Sequence, residues 1–457
     1  MRPKLRGKPR CRAKEGPALV FVDNGDLDRE TRVAIRQQAA RSGCRRRRES
    51  YKQREEENIP AVISFNGYET LRARYNFDLT SLSSFTDIDL GRVGFLSLQN
   101  QPTPLAALLE KRSSSFLTHL PSRYGSSACL DDAMHCLAAR AGKLLGSPIR
   151  TTTLFRLYTK ALKSLYTALE GHLLDVDIYC ATAILALYEL LGPADENRWI
   201  QHTRGAIKLV ALRGPDNHKT EFERMILKIH APSVLVDEQY RKQSSIFASP
   251  SWQRFFDQAS EAEEDTHSGF WWEFFGRACA FVPGILKDIT ALFRDPACPQ
   301  YKKHSLAILE RANRVHAALH DSHGRFQQRA PSLVDLPVGP ESPDRVRLRA
   351  LFIYTTITVC RVLATFARSK VERAASETEA QTLAAGALLI ERAVAELDPA
   401  MAWHLQQRNA LAHVVIQTRD RWVDDVDVDV DRFLAQRWMD LEDAWQARVL
   451  TEAFGES

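Results

Sequence analysis

The sequence predicts an all-α protein, a large array of antiparallel helix pairs preceded by a basic, partly disordered N-terminal segment. Three observations carry that prediction. From residue 129 onward, apolar residues recur at i, i+3, i+4 and i+7 in one segment after another, the spacing of a helix face turned toward a core. The segments end on helix stops, of which Gly192-Pro193 and Gly214-Pro215 are the clearest. Alternating β-branched runs, the mark of half-buried strands, are rare.

In chain order, residues 1–57 form a basic head, 58–125 a linker with short docked elements, and 126–455 a helical domain. The head opens on "RPKLRGKPRCRAK", where Pro and Gly break any helix and predict a mobile cationic arm. "GPALVFVDNG" closes on Asn24-Gly25 and reads as a small strand or a docking patch. From Asp28 to Glu57 Gly and Pro are absent except at Gly43, and Ile35, Ala39 and Ala40 give a thin apolar stripe. A solvated helix fits that segment. Residues 58–125 are rich in Ser, Thr, Pro and Asn and sustain no period.

Organised periodicity starts at "CLDDAMHCLAARAGKLLG", where Leu130, Met134, Leu137, Ala138, Ala141 and Leu145 share a face. In the next segment the stripe is Leu154, Leu157, Tyr158, Ala161, Leu162, Leu165 and Leu169. Asp177 to Leu191 is apolar nearly all round, which predicts a central buried helix. "WIQHTRGAIKLVALRGP" makes a fourth helix that stops at Gly214-Pro215. Further helices are predicted over Glu221–Ile229, Trp252–Ala259, Phe270–Phe293, Lys302–His320, Asp344–Ser369, Glu377–Leu397, Trp403–Arg419 and Phe433–Ala453. No repeat is clear enough to make a solenoid.

At 457 residues the chain can bury a sizeable core. Its formal charge is +5, yet residues 1–54 hold 17 Lys and Arg against 6 Asp and Glu, a net of +11, which leaves −6 for the remainder. Such asymmetry points to an anionic partner and says nothing of fold. Eight scattered cysteines, Cys11, Cys44, Cys129, Cys136, Cys180, Cys279, Cys298 and Cys360, read as reduced thiols that are mostly small buried hydrophobes. The longest apolar run, "ATAILALYELL", falls well short of the roughly 20 residues of a bilayer span, so a soluble chain is expected with no membrane partner.

Reactive constellations are scarce. The glycine patterns of dinucleotide and phosphate loops are missing, as are H-E-x-x-H and G-x-S-x-G. Cys129 and Cys136 flank His135, but structural zinc normally takes four ligands including a close C-x2-C pair, so core packing is expected there. In "WVDDVDVDVDRF" the acids Asp424, Asp425, Asp427, Asp429 and Asp431 lack the central Gly and terminal Glu of a calcium loop, and a half-buried extended segment with an acidic edge fits better. The aromatics of "GFWWEFFGRACAF", notably Trp271, Phe274, Phe275 and Phe281, fall on one broad stripe and are expected in a core or helix interface. No acid, base and nucleophile set is visible, so neither an enzyme, a cofactor nor a bound metal is expected.

Three consecutive segments carry a resemblance. "LYTKALKSLYTALEG", "IYCATAILALYELLG" and "WIQHTRGAIKLVALRGP" resemble the middle homology region of fungal-specific transcription factors. The last has that region's signature in Trp199, His202, Gly205, Ala206, Leu209, Arg213, Gly214 and Pro215. "ASPSWQRF" (Ala248 to Phe255) resembles the family's downstream helix start, and the head is similar to segments that open on F-V before a basic helix. The similarity is good over about residues 130–260, moderate in the head, and limited to helical character in the C-terminal third. The binuclear zinc cluster of such factors needs six cysteines, and the head holds only Cys11 and Cys44.

The signature itself reads as structural. Trp199 and Leu209 pack inward, Gly205-Ala206 permits close helix approach, Arg213-Gly214-Pro215 ends the helix, and His202 is a buried hydrogen-bonding residue. The resemblance implies a nuclear regulatory protein of the transcription-factor type that lacks its own zinc-cluster DNA-binding domain. The alternative is a DNA-independent helical interaction protein, scaffold or cofactor protein. Arg41, Arg45, Arg46, Arg47, Arg48, Lys52 and Arg54 form the compact cationic cluster that nuclear import requires, and they offer phosphate contacts. Expected partners are transcriptional regulators or other proteins, with non-specific nucleic acid through residues 1–57; homo-oligomerisation stays open.

Overall fold

The structure, a computed structural model, describes residues 67–83, 109, 115–171, 174–191, 198–263, 266–295, 297–329, 343–397, 405, 409–423 and 438. All lie in the unit Phe65–Ser457. Among the described residues the regular structure is helical throughout, as the periodicity predicts.

The first pieces are short and docked. Helix α1 (Gly67–Tyr75) and a 3₁₀ turn (Leu79–Leu82) bury Tyr68, Leu71, Tyr75, Leu79 and Leu82. Asp78 fixes their junction: its carboxylate accepts from Tyr68 Oη at 2.9 Å and from the Thr80 amide at 3.0 Å. Helix α1 packs on α2 (Ala128–Leu144), whose Leu130, Met134, Leu137, Ala138 and Ala141 are buried on the predicted face. Leu145 falls just past the last turn and is half exposed.

Helix α3 (Thr151–Leu169) returns along α2 and buries Leu154, Tyr158, Ala161 and Leu165. Leu162, assigned to that stripe by spacing, is turned outward at the stripe's edge. Helix α4 (Val176–Leu190) is buried on nearly every side because α2 and α5 (Arg198–Arg213) both pack on it. Helix α6 (Glu221–Tyr240) starts on a capping box, with Thr220 and Glu223 satisfying each other's backbone amides. It runs past the predicted end at Ile229 and through Pro232, because Ile226, Leu227, Ala231, Val234 and Leu235 bury one continuous face across the missing bond.

Helix α7 (Pro250–Ala262) buries Trp252, Phe256 and Ala259. The single helix expected over Phe270–Phe293 is two, α8 (His267–Arg277) and α9 (Val282–Arg294), joined by a 3₁₀ turn at Cys279–Phe281. Pro283, which has no amide hydrogen to donate, sits in the first turn of α9, where none is needed. Trp271, Trp272, Phe274 and Phe275 are buried, so the aromatic run is core, with Phe281 packed at its edge.

The C-terminal half stacks α10 (Tyr301–Arg329) on α11 (Pro343–Phe366), α11 on α12 (Lys370–Leu397), and α12 on α13 (Ala410–Gln417). The stretch Leu348–Phe366 is long and apolar enough to cross a membrane, and 83% of it is buried within the protein. Several of its polar side chains find partners inside the fold. Thr355, Thr356 and Thr358 hydroxyls donate one turn back, and Arg361, fully buried, reaches Glu377 at 3.0 Å, the Val415 carbonyl at 2.9 Å and the Trp422 ring face at 4.5 Å. The helix expected over Phe433–Ala453 lies outside the described residues except Trp438, which is buried.

Candidate functional site

The last three signature residues, Arg213, Gly214 and Pro215, lie at the end of α5. Arg213 is buried, and its guanidinium donates to the Asn217 carbonyl at 2.5 Å, to Glu223 at 3.1 Å and to the Leu174 carbonyl. One side chain thus ties the α4 entrance, the α5 exit and the α6 cap. Gly214 adopts φ 64°, a left-handed conformation that costs glycine little, and Pro215 opens a 3₁₀ turn (Pro215–Asn217). Burial opposes the charge on Glu223, but the Thr220 amide and hydroxyl together with Arg213 outweigh it and hold the carboxyl below its ordinary range.

Earlier in α5, His202 Nε2 lies 3.0 Å from Tyr158 Oη, and Tyr158 stacks on Tyr188. Burial pushes the His202 pKa down to about 4, so the ring is neutral near pH 7. Ala206 and Leu209 are buried, and Trp199 belongs to α5. Gly205 departs from the expectation: a methyl there would lie 3.6 Å from Thr182 Cγ2, an ordinary contact, so the α4–α5 approach does not require glycine. These groups brace a helix junction and present no nucleophile to a cleft.

Cys129 and Cys136 are buried on the inner face of α2. His135 between them is held by tyrosines, with Tyr124 Oη at 2.8 Å and Tyr75 Oη at 3.2 Å. The cationic set Arg41, Arg45, Arg46, Arg47, Arg48, Lys52 and Arg54 lies outside the described residues, as do Asp424, Asp425, Asp427, Asp429 and Asp431.

A second cluster escaped the sequence reading. His316 and His320, one turn apart on α10, both meet Glu379 of α12, and His316 and Glu379 also approach Cys360 of α11. Ligand atoms of His316, Cys360 and Glu379 lie within 4.8 Å of one another. The two carboxylate oxygens lie 2.9 Å from His316 Nε2 and 2.7 Å from His320 Nε2, and the two ring nitrogens are 3.2 Å apart. Burial disfavours the Glu379 anion, yet the two imidazoles more than offset it and bring its pKa down to about 2. Burial first, and then Glu379, pushes the Cys360 thiol up. The one sequence signal was the H-x3-H spacing of 316 and 320; Glu379 follows 63 and 59 residues later, which no local pattern links.

No protein-family model, no curated protein and no solved structure matches this chain.

Proposed function

We propose that this chain is a nuclear regulatory protein of the transcription-factor type, with a helical body that acts through other macromolecules and a basic head that serves as its import address. The observation that carries the reading is the signature from Trp199 to Pro215, whose described side chains serve as helix braces around Arg213 rather than as a reaction centre. A regulatory body needs such a scaffold and no catalytic set. The charge division supports it as well, since the head is net +11 and the rest of the chain net −6. With two cysteines, the head cannot build a six-cysteine zinc cluster, so sequence-specific reading of DNA is assigned to a partner.

The test is the cellular position of a fluorescent fusion in which Arg45, Arg46, Arg47 and Arg48 are all changed to Ala. The intact fusion is expected in the nucleus and the variant in the cytoplasm. An unchanged nuclear signal would remove the head from the account. A cytoplasmic signal from the intact fusion would favour the alternative, a helical interaction scaffold that works without DNA.

A further inference from the structure

We propose that His316, His320, Glu379 and Cys360 form a binding site for one divalent transition-metal ion of the zinc type, joining α10, α11 and α12. The proposal is independent of the regulatory reading, and it reverses the expectation of no metal, which rested on the absence of a C-x2-C pair.

The hydrogen-bond geometry carries the argument. Both ring Nε2 atoms face Glu379, at 2.9 and 2.7 Å, and they also face each other at 3.2 Å. If both carry protons to donate to the carboxylate, the contact between the rings sets donor against donor. If either gives its proton up, a lone pair faces an anionic oxygen. With Glu379 ionised, no assignment of protons satisfies all three contacts at once. A cation at the shared focus satisfies them together, because every atom then presents a lone pair to one positive charge.

The spacing agrees. Tetrahedral zinc holds N and O ligands at about 2.0–2.2 Å and S at about 2.3 Å, which sets ligand atoms roughly 3.3–3.7 Å apart. The 3.2 Å between the imidazoles is near that separation already. The carboxylate has to withdraw by about half an ångström, and the thiol, within 4.8 Å of the His316 and Glu379 ligand atoms, has to draw in toward them by about one and close on His320 as well. Two imidazoles and a thiolate favour zinc, cobalt or copper over magnesium or calcium, which take all-oxygen sets.

The fold offers both anchorage and access. Cys360 is fully buried, and α10 is anchored beside the site by Ala312, Val315 and Leu319. The His320 side chain, 48% exposed, stands at the solvent edge where an ion enters. On binding, the Cys360 thiol loses its proton to solvent and each imidazole coordinates through Nε2 as the neutral ring, its proton on Nδ1. The ion then joins three helices that come from distant parts of the chain.

The experiment uses the full chain, stripped with a chelator and titrated with cobalt(II) as a spectroscopic stand-in for zinc. One equivalent should bind, with the intense visible bands of tetrahedral cobalt and a near-ultraviolet thiolate-to-cobalt charge-transfer band, and zinc should displace it. His320→Gln, at a half-exposed position that folding tolerates, should raise the Kd by roughly 100-fold, one ligand's share of a four-ligand site. Cys360→Ser should abolish the charge-transfer band, and His304→Gln, exposed nearer the start of α10, should change nothing. Absence of stoichiometric binding, or binding to which His320→Gln is indifferent, overturns the site. Tetrahedral bands without the thiolate band overturn the assignment of Cys360.

Discussion

A methyl group at position 205 would meet only Thr182 Cγ2, at 3.6 Å, whereas at position 276 it would lie 2.6 Å from Phe256 Cβ and 2.9 Å from Phe256 Cγ. Both glycines are helical, so the same substitution should act in opposite directions. Gly205→Ala removes backbone freedom from the unfolded chain and should stabilise by about 0.5–1 kcal/mol. Gly276→Ala forces the base of a packed aromatic aside and should destabilise by roughly 1–3 kcal/mol. Urea midpoints, at unchanged slope, would show the two shifts. His218 gives a second test at this scale. It is fully buried among Tyr179, Trp252 and Phe255, and burial, reinforced by Arg213, lowers its pKa to about 4. Between that value and the unfolded value near 6.5, the unfolded state binds more protons, so stability falls as pH falls. From about pH 7 to about pH 5 this group alone should cost about 2 kcal/mol, and His218→Phe should flatten the decline. An equally steep decline in the variant would contradict that assignment.

At the scale of elements, the sharpest test lies where α11, α12 and α13 meet. Arg361 and Glu377 are both buried, and besides Glu377 the guanidinium has the Val415 carbonyl and the Thr418 hydroxyl. Removing one partner leaves a buried charge, so Arg361→Met or Glu377→Leu should each cost roughly 3–5 kcal/mol. Replacing both, as Arg361→Met with Glu377→Leu, should cost much less than the sum, because the desolvation penalty disappears with the charges. A double-mutant cycle on unfolding free energies reads the coupling, and strict additivity would contradict it.

The elements also show what the sequence could convey. The centres of α2, α4 and α5 were legible, because apolar spacing reports directly on which face is buried. Ends were less so. Pro232 looks like a stop, yet α6 continues where tertiary burial on both sides outweighs one lost hydrogen bond. The turn at Cys279–Phe281 falls within the apolar stretch 278–286, so hydrophobicity does not mark it; the signal was Pro283, a first-turn residue that starts a new helix. Of the two sites, the end of α5 at Arg213 was readable as a helix stop from Gly214-Pro215, though not the reach of Arg213 to the Leu174 carbonyl, 39 residues back. The imidazole–carboxylate–thiol cluster was not, for its members meet only through the stacking of three helices.

For the whole molecule, the proposed division of labour runs along the chain, with a net +11 head for delivery and a helical body for regulation. Head contacts with nucleic acid through phosphate alone would be indifferent to sequence and steeply salt-dependent, each neutralised phosphate adding nearly one unit to the log–log slope. The body should then choose the target through its partners. Chromatin-association mapping separates these roles most directly, comparing the intact chain with one in which residues 1–57 are replaced by an unrelated import signal. The account predicts that the two occupy the same loci. Loss of those loci by a truncated chain that still reaches the nucleus would contradict it, placing recognition in the head.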